Sequence, residues 1–166
     1  RLGKLTKDIP KPMIRIGNYP VLEHLIFHLS KFGISQIVVN LHYKPEVIMD
    51  YFGTRLLYSY EPILLGEEGT IESLKHWLLT DYTVVMNGDT ITDLDINQMF
   101  RWSQGKNVMS MDRDIYTGCK IVSPRYFFGE KEFGRYYDPL MYWVDIGTKE
   151  NLEIAKLSRG LPGMAI

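Results

Sequence analysis

The sequence predicts an α/β protein with a mostly parallel sheet and helices on both faces. Short β-rich runs alternate with segments whose apolar residues have helical spacing. The β-rich runs contain few polar residues, as expected of strands that are buried on both faces. Glycine or proline stands at the ends of several helical segments. This alternation is typical of βα units joined by right-handed crossovers.

The individual elements follow from the same patterns. The first helix is predicted to begin after Pro20 and to end at Gly33, because apolar residues between them are spaced three and four apart. The other predicted elements are strand 36–41, helix 44–53, strand 55–60, helix 70–79, strand 82–87, helix 95–103 with Asp95 as N-cap, strands 107–111, 115–123 and 141–146, and helix 148–157 capped by Thr148.

Composition limits the classes of function. The chain has 166 residues, 45% of them hydrophobic, which is enough for one domain with a sizeable core. Lys and Arg number 19 against 20 Asp and Glu, so no basic surface for nucleic acid is expected and the partners should be small molecules. Cys119 is the single cysteine, and no apolar run approaches a membrane span of about 20 residues. We therefore expect a cytoplasmic protein.

Two aspartates stand where apolar strands end. Asp89 follows strand 82–87 through Asn87 and Gly88, and Asp145 closes a second apolar run just before a glycine. Open α/β sheets bind ligands beyond the carboxyl ends of their strands. Two carboxylates facing one crevice there would suit Mg²⁺. Each aspartate taken alone is equally well explained by a turn or a helix cap.

Lys11 is a candidate phosphate contact. It lies between Pro10 and Pro12, which restrict the local backbone and so hold the ammonium in place. A lysine fixed in this way suits a phosphate group. The alternative is a solvated lysine in a proline turn.

Four motifs together resemble the sugar-1-phosphate nucleotidylyltransferases. In chain order they are RL…KPM, EPILLGEEGT, NGD and WVDIGT, and the resemblance covers nearly the whole chain. It implies a Rossmann-like open sheet of the nucleotide-diphospho-sugar transferase type, in a single domain spanning residues 1–166. It also implies a reaction in which an NTP and a sugar 1-phosphate give an NDP-sugar and pyrophosphate.

The resemblance assigns roles to the candidate residues. Arg1 would contact the triphosphate and polarise the pyrophosphate leaving group, and Lys11 would neutralise charge around the α-phosphate. Asp89 and Asp145 would hold Mg²⁺. In-line attack on the α-phosphate requires positioning and charge neutralisation more than acid–base chemistry.

Binding residues are implied in the same way. The nucleotide would be bound by Glu61, Gly66, Asn87 and Gly88, and the sugar by Thr117 and Gly118. The alternatives are an ordinary strand-to-helix loop for the segment 61–70 and a β-bulge for the strand glycine.

The sequence also departs from the family. The glycine-rich loop that precedes Arg-Leu is absent, and so is the later Glu-Lys-Pro motif whose lysine holds the sugar phosphate. We therefore expect residues to be missing before Arg1 and near 111–114. Glu67 and Glu68 stand where the family more often has small or hydroxyl residues. They would repel a triphosphate unless they point away from it.

Several alternatives stay open. The chain could be a glycosyltransferase that uses a nucleotide-sugar, or a homologue that binds nucleotide without turnover. The sequence selects neither base nor sugar; the resemblance favours a guanylyl or uridylyl donor, and a monomer or homodimer is expected. His24 and His28, spaced i and i+4, could ligate zinc, but a surface or packing role is favoured.

Overall fold

The computed structural model describes residues 2–78 and 82–158. The α-helices within these ranges are α1 (Val21–Ser30), α2 (Pro45–Phe52), α3 (Gly66–Ser73), α4 (Ile96–Ser103) and α5 (Lys149–Leu157). The strands are β1 (Arg15–Ile16), β2 (Tyr19–Pro20), β3 (Val38–Leu41), β4 (Leu57–Tyr60), β5 (Thr83–Met86), β6 (Thr90–Thr92), β7 (Val108–Asp112), β8 (Ile115–Val122), β9 (Gly134–Tyr137) and β10 (Trp143–Asp145). Among the described residues, no helix is long and apolar enough to cross a membrane.

The strand pairing is more mixed than the sequence predicts. The largest sheet has the order β5-β8-β7-β9, with β8 antiparallel to both neighbours and β9 parallel to β7. The pair β3–β4 is parallel, whereas β1–β2 and β6–β10 are antiparallel. Only Arg113 and Asp114 separate β7 from β8, and so short a connection permits only an antiparallel pair. The α/β class itself is confirmed.

Helices cover both faces of the four-stranded sheet, as predicted. Ile121 of β8 belongs to the same buried cluster as Met99 of α4. The next residue, Val122, belongs to a different cluster with Ile71 of α3. Because consecutive strand residues point to opposite faces, α3 and α4 pack on opposite sides of β8.

Helix α1 is buried against the strands next to the candidate site. Val21 packs with Ile91 of β6 and Val144 of β10. The Nε2 atoms of His24 and His28 lie 2.9 Å from the carbonyl oxygens of Ile16 and Leu94. Both rings are buried, so of the surface and packing roles expected for these histidines, packing is the one observed. Burial also lowers the pKa of His28.

Two predicted helix caps are present, and one helix is displaced. Asp95 accepts a 2.8 Å hydrogen bond from the Gln98 amide, and Thr148 accepts one of 3.1 Å from the Asn151 amide. Helix α3 begins at Gly66, four residues before the predicted start at residue 70. Gly66, the first residue of this helix, adopts a φ of 73°, which glycine reaches without strain.

Candidate functional site

The register of β6 and β10 brings the backbones of the two predicted aspartates close together. Asp145 lies opposite Thr90, the residue that follows Asp89. The Ile146 amide donates a 3.0 Å hydrogen bond to the carbonyl oxygen of Asp89. Asp89 and Asp145 therefore occupy neighbouring positions at one sheet edge, which we call the metal edge.

The Asp145 carboxylate is held by hydrogen bonds to both of its oxygens. The Gly147 amide donates to Oδ1 at 2.8 Å, and Asn151 Nδ2 donates to Oδ2 at 3.3 Å. A Cβ atom at position 147 would lie 2.6 Å from Oδ1, so this arrangement requires glycine. Sequence reasoning missed Asn151, although an asparagine in the first turn of a helix that follows Asp-x-Gly was an available signal.

The Lys11 side chain lies beside Asp89, a contact that the sequence did not predict. Lys11 Nζ lies 3.5 Å from Asp89 Oδ2, with the two side chains 45% and 26% exposed. Gly88 permits this approach: a Cβ atom there would lie 3.3 Å from the Pro12 ring. An exposed pair of this length is weak, so the lysine ammonium is available to a phosphate.

The metal edge fits a hard divalent cation. Among the described residues, each carboxylate oxygen of Asp89 and Asp145 has at most one hydrogen-bond partner and keeps further acceptor capacity. Within residues 2–78 and 82–158 there is no cluster of three or more His, Cys, Asp or Glu that could hold a metal. Mg²⁺ is commonly bound by one or two carboxylates, with water and phosphate as the other ligands. A two-carboxylate site therefore suits Mg²⁺ when a phosphate is also present.

Gly118 lies where β8 passes the carboxyl end of β5. Its carbonyl accepts a 2.8 Å hydrogen bond from the Asn87 amide. Its φ is 89°, and a Cβ atom would lie 2.9 Å from Thr90 Oγ1 and 3.1 Å from Asn87 Nδ2. The structure thus brings the predicted sugar-contacting glycine beside the predicted Asn87-Gly88 turn.

The Thr117 side chain does not join this group. It is 3% exposed, and its hydroxyl forms a hydrogen bond with the buried hydroxyl of Ser110. The reason is strand alternation, which points the side chain of Thr117 away from the face used by its neighbours. The sugar contact implied for Thr117 stays a prediction, and the Thr117 backbone would have to make it, because the hydroxyl is already bonded.

The nucleotide loop, residues 61–65, is shaped by a buried carboxylate. Glu61 is 4% exposed, and its carboxylate accepts hydrogen bonds from Thr70 Oγ1 and the Leu65 amide. Its carbonyl oxygen lies 2.8 Å from His42 Nδ1. Glu61 therefore connects the loop to α3 through these hydrogen bonds. The side chain of Ile63, in contrast, is exposed at the loop surface.

The Glu67 side chain is paired with a lysine of the sheet. Its carboxylate accepts a hydrogen bond from Lys120 Nζ on β8. The same ammonium lies 4.8 Å from the ring centroid of Tyr116 and 4.9 Å from that of Phe133. Glu68, in contrast, is exposed. Sequence reasoning could not find this contact, because 53 residues separate its two members.

Hydrogen bonds join the N-terminal segment, at Thr6 and Lys7, to Tyr43, which lies just after β3. The Tyr43 hydroxyl contacts the carbonyl oxygens of Thr6 and Lys7 at 3.1 and 2.9 Å. Leu2 is 1% exposed and packs in the cluster that contains Ile91. Arg1, the predicted triphosphate contact, lies outside the described residues.

Comparison with known proteins agrees with the motifs. The sequence model of the nucleotidyl transferase family matches residues 1–112. A D-glycero-alpha-D-manno-heptose 1-phosphate guanylyltransferase of Aneurinibacillus thermoaerophilus is 36% identical over 141 residues, which cover 82% of this chain and 56% of that protein. The protein of the same name from Campylobacter jejuni is 40% identical over 105 residues, which cover 60% of this chain and 47% of that protein. The chain thus spans about half the length of these relatives.

The fold is also shared with solved structures. The crystal structure of HddC from Yersinia pseudotuberculosis superposes with a TM-score of 0.81 at 23% identity, covering 95% of this chain and 93% of that one. This likeness concerns the fold, and it confirms the predicted nucleotide-diphospho-sugar transferase type. With the match over residues 1–112, it follows that the chain belongs to the nucleotidyl transferase family.

Proposed function

We propose that this chain transfers a nucleotidyl group from an NTP to a sugar 1-phosphate, giving an NDP-sugar and pyrophosphate. The observation that carries the proposal is the contact between Lys11 and Asp89, together with the strand pairing that places the backbone of Asp145 opposite Thr90, next to Asp89. The relatives named as heptose 1-phosphate guanylyltransferases support GTP and a heptose phosphate as the first substrates to test.

The reaction is a substitution at the α-phosphorus of the NTP. A phosphate oxygen of the sugar 1-phosphate forms a bond to this phosphorus, while the bond to the bridging oxygen breaks and pyrophosphate leaves with the electron pair. The nucleophile is already anionic, so no general base is required. The protein's task is to align the two anions and offset their charge.

Charged side chains at the metal edge suit that task. Lys11 would approach the α-phosphate, and Arg1 would contact the pyrophosphate end. Asp89 and Asp145 would hold Mg²⁺, which when bound offsets charge on the phosphates. Gly147 and Asn151 would keep the Asp145 carboxylate in one orientation, because they donate to its two oxygens.

Binding of the two substrates is assigned to the adjoining loops. The backbone of the nucleotide loop and Gly66 would line the base and ribose. The buried Glu61 would fix the path of this loop through its hydrogen bonds to Leu65 and Thr70. Asn87 and Gly88 would complete the nucleotide side. Gly118 would contact the sugar through its backbone, because the space that a Cβ atom would enter is already filled by Thr90 Oγ1 and Asn87 Nδ2.

The compartment and assembly are part of the proposal. We place the protein in the cytoplasm, an assignment supported by the free and buried thiol of Cys119. A monomer or homodimer is expected, and light scattering of the purified chain would show which is correct.

The test is pyrophosphate release with Mg²⁺, four NTPs and a panel of heptose, mannose, glucose and amino-sugar 1-phosphates. We expect release only when GTP and one sugar phosphate are present together. Transfer from an NDP-sugar to an acceptor, with no pyrophosphate, would instead establish the glycosyltransferase. Nucleotide binding without any turnover would establish the non-catalytic homologue.

A further inference from the structure

An acidic residue stands at the start of the helix that follows the nucleotide loop. Glu67 is the second residue of α3, directly after Gly66, and its side chain is 32% exposed. A carboxylate so close to the nucleotide loop would lower the affinity for a triphosphate, because the charges have the same sign and water screens them only partly. Some feature must offset this charge if the chain binds NTP well.

Lys120 supplies the opposite charge. Its side chain is 14% exposed, and its ammonium donates to Glu67 Oε1. The rings of Tyr116 and Phe133, with centroids 4.8 and 4.9 Å from the ammonium, stabilise the cation further. A cation this little exposed needs a partner to compensate for its lost hydration. The contact is therefore a well-supported ion pair, unlike an isolated surface pair.

The pair connects helix α3, which follows the nucleotide loop, to strand β8, which contains Gly118. Glu67 belongs to the helix that carries the nucleotide loop, and Lys120 lies on β8 two residues beyond Gly118. Alternation along the strand places Lys120 and Gly118 on the same face. The carboxylate is thereby drawn toward β8.

We propose that Lys120 is a positioning residue that neutralises Glu67 and so allows the nucleotide loop to accept a triphosphate. This inference rests on the proposed function, because it requires that the chain binds NTP. Its effect is on nucleotide affinity. Lys120 acts through Glu67, and removal of the carboxylate should therefore make the lysine dispensable.

The test is calorimetric titration with GTP and Mg²⁺, without sugar phosphate, so that binding is measured apart from turnover. Lys120→Met should weaken GTP binding roughly ten-fold, since it exposes one uncompensated carboxylate to the triphosphate. Glu67→Gln should leave binding unchanged or tighter. The double variant E67Q/K120M should return to within about two-fold of the wild type, as expected when two residues act through one contact.

Helix α3 offers a matched control. Lys131 forms an ion pair with Glu72 near the other end of the same helix, with both side chains about equally exposed. Lys131→Met should therefore leave GTP affinity unchanged. Lys120→Arg keeps the charge and tests the idea should Lys120→Met unfold, which circular dichroism would reveal; the arginine variant should bind GTP nearly as well as the wild type.

Each other outcome overturns the inference in a distinct way. Weak binding by both Lys120→Met and the double variant would show that Lys120 contacts the nucleotide itself. Weak binding by Glu67→Gln would show that the carboxylate is a ligand. Normal binding by Lys120→Met would remove its role while leaving the proposed function intact. A folded wild type that binds none of the NTPs would overturn the proposed function as well.

Discussion

The metal edge and the nucleotide loop are built by different means. At the metal edge, the ladder between β6 and β10 sets the relative positions of Asp89 and Asp145. In the nucleotide loop, the contacts that set the chain path include those of a single side chain, Glu61, with Thr70 and Leu65. The comparison teaches that one half of the site depends on backbone pairing and the other on a few side chains.

The metal edge and the nucleotide loop also differ in how deeply their apolar residues are buried. Ile91 and Ile146, which flank the metal edge, are at most 1% exposed. Ile63 and Leu64 in the nucleotide loop are 73% and 69% exposed. Regions with few buried apolar contacts open at lower free energy than packed strands. We therefore expect a rigid metal edge and a nucleotide loop that adjusts when substrate binds.

The largest effects are expected at the metal edge. Asp89→Asn and Asp145→Asn should each lower kcat by about two to three orders of magnitude, because each removes charge from the site where the phosphates react. The melting temperature should change little, since the β6–β10 ladder is retained. Asp114→Asn, in the hairpin turn, is the control and should be fully active. Full Mg²⁺-dependent activity in either variant would overturn the assignment of that aspartate.

A smaller effect is expected when the orientation of Asp145 is disturbed. Gly147→Ala would place a Cβ atom 2.6 Å from Asp145 Oδ1 and displace the carboxylate. The Mg²⁺ concentration needed for half-maximal rate should rise about ten-fold or more, the size expected of lost support for a metal ligand. Asn151→Ala removes one hydrogen bond and should cause a smaller rise. Equal Mg²⁺ requirements in both variants and the wild type would show that these two residues do not position Asp145.

The nucleotide loop should respond in stability and in KM. Thr70→Val removes a hydroxyl that donates to the buried Glu61 carboxylate, and an unsatisfied buried acceptor costs about 1–3 kcal/mol. The free energy of unfolding in urea should fall by that amount, and KM for NTP should rise with kcat nearly unchanged. Ser73→Ala, which loses only an exposed hydrogen bond, is the control. A change in kcat alone would contradict the account of the loop.

The smallest effect concerns acid stability behind the metal edge. Burial lowers the pKa of His28, whose Nε2 lies beside the Leu94 carbonyl just after β6. The unfolded chain takes up a proton near pH 6.5 while the folded chain resists it, so stability is full above that pH and falls as the pH drops toward the folded pKa. Urea unfolding at pH 7.5 and 5.5 should show this loss, and His28→Gln should show less of it. An equal loss in the variant would assign the acid sensitivity to other groups.

Much of the metal edge was predictable from the sequence. Buried strands have an apolar pattern that ends abruptly, so the positions of Asp89 and Asp145 at strand ends could be seen directly. Helix caps are equally local, and those of Asp95 and Thr148 are confirmed. The family resemblance supplied the order of the motifs, and residues 1–112 match the family.

Features that depend on distant contacts could not be predicted. The strands β6 and β9 read TIT and GRYY, and neither forms the apolar run by which the predicted strands are recognised. The position of β8 between β5 and β7 depends on pairing between strands that are distant in the sequence, which propensity does not encode. The pairing of Glu67 with Lys120 is of the same kind, since it requires α3 to pack on β8.

The most direct test of the central claim is Mn²⁺ binding to the nucleotide-free protein, followed by electron paramagnetic resonance. Mn²⁺ is bound by the same hard oxygen ligands as Mg²⁺ and is visible to this method. If the register of β6 and β10 builds one cation site from two carboxylates, the wild type and Asp114→Asn should bind Mn²⁺ alike, and Asp89→Asn and Asp145→Asn should each weaken binding by about ten-fold or more. Unchanged Mn²⁺ binding in both aspartate variants would contradict the claim.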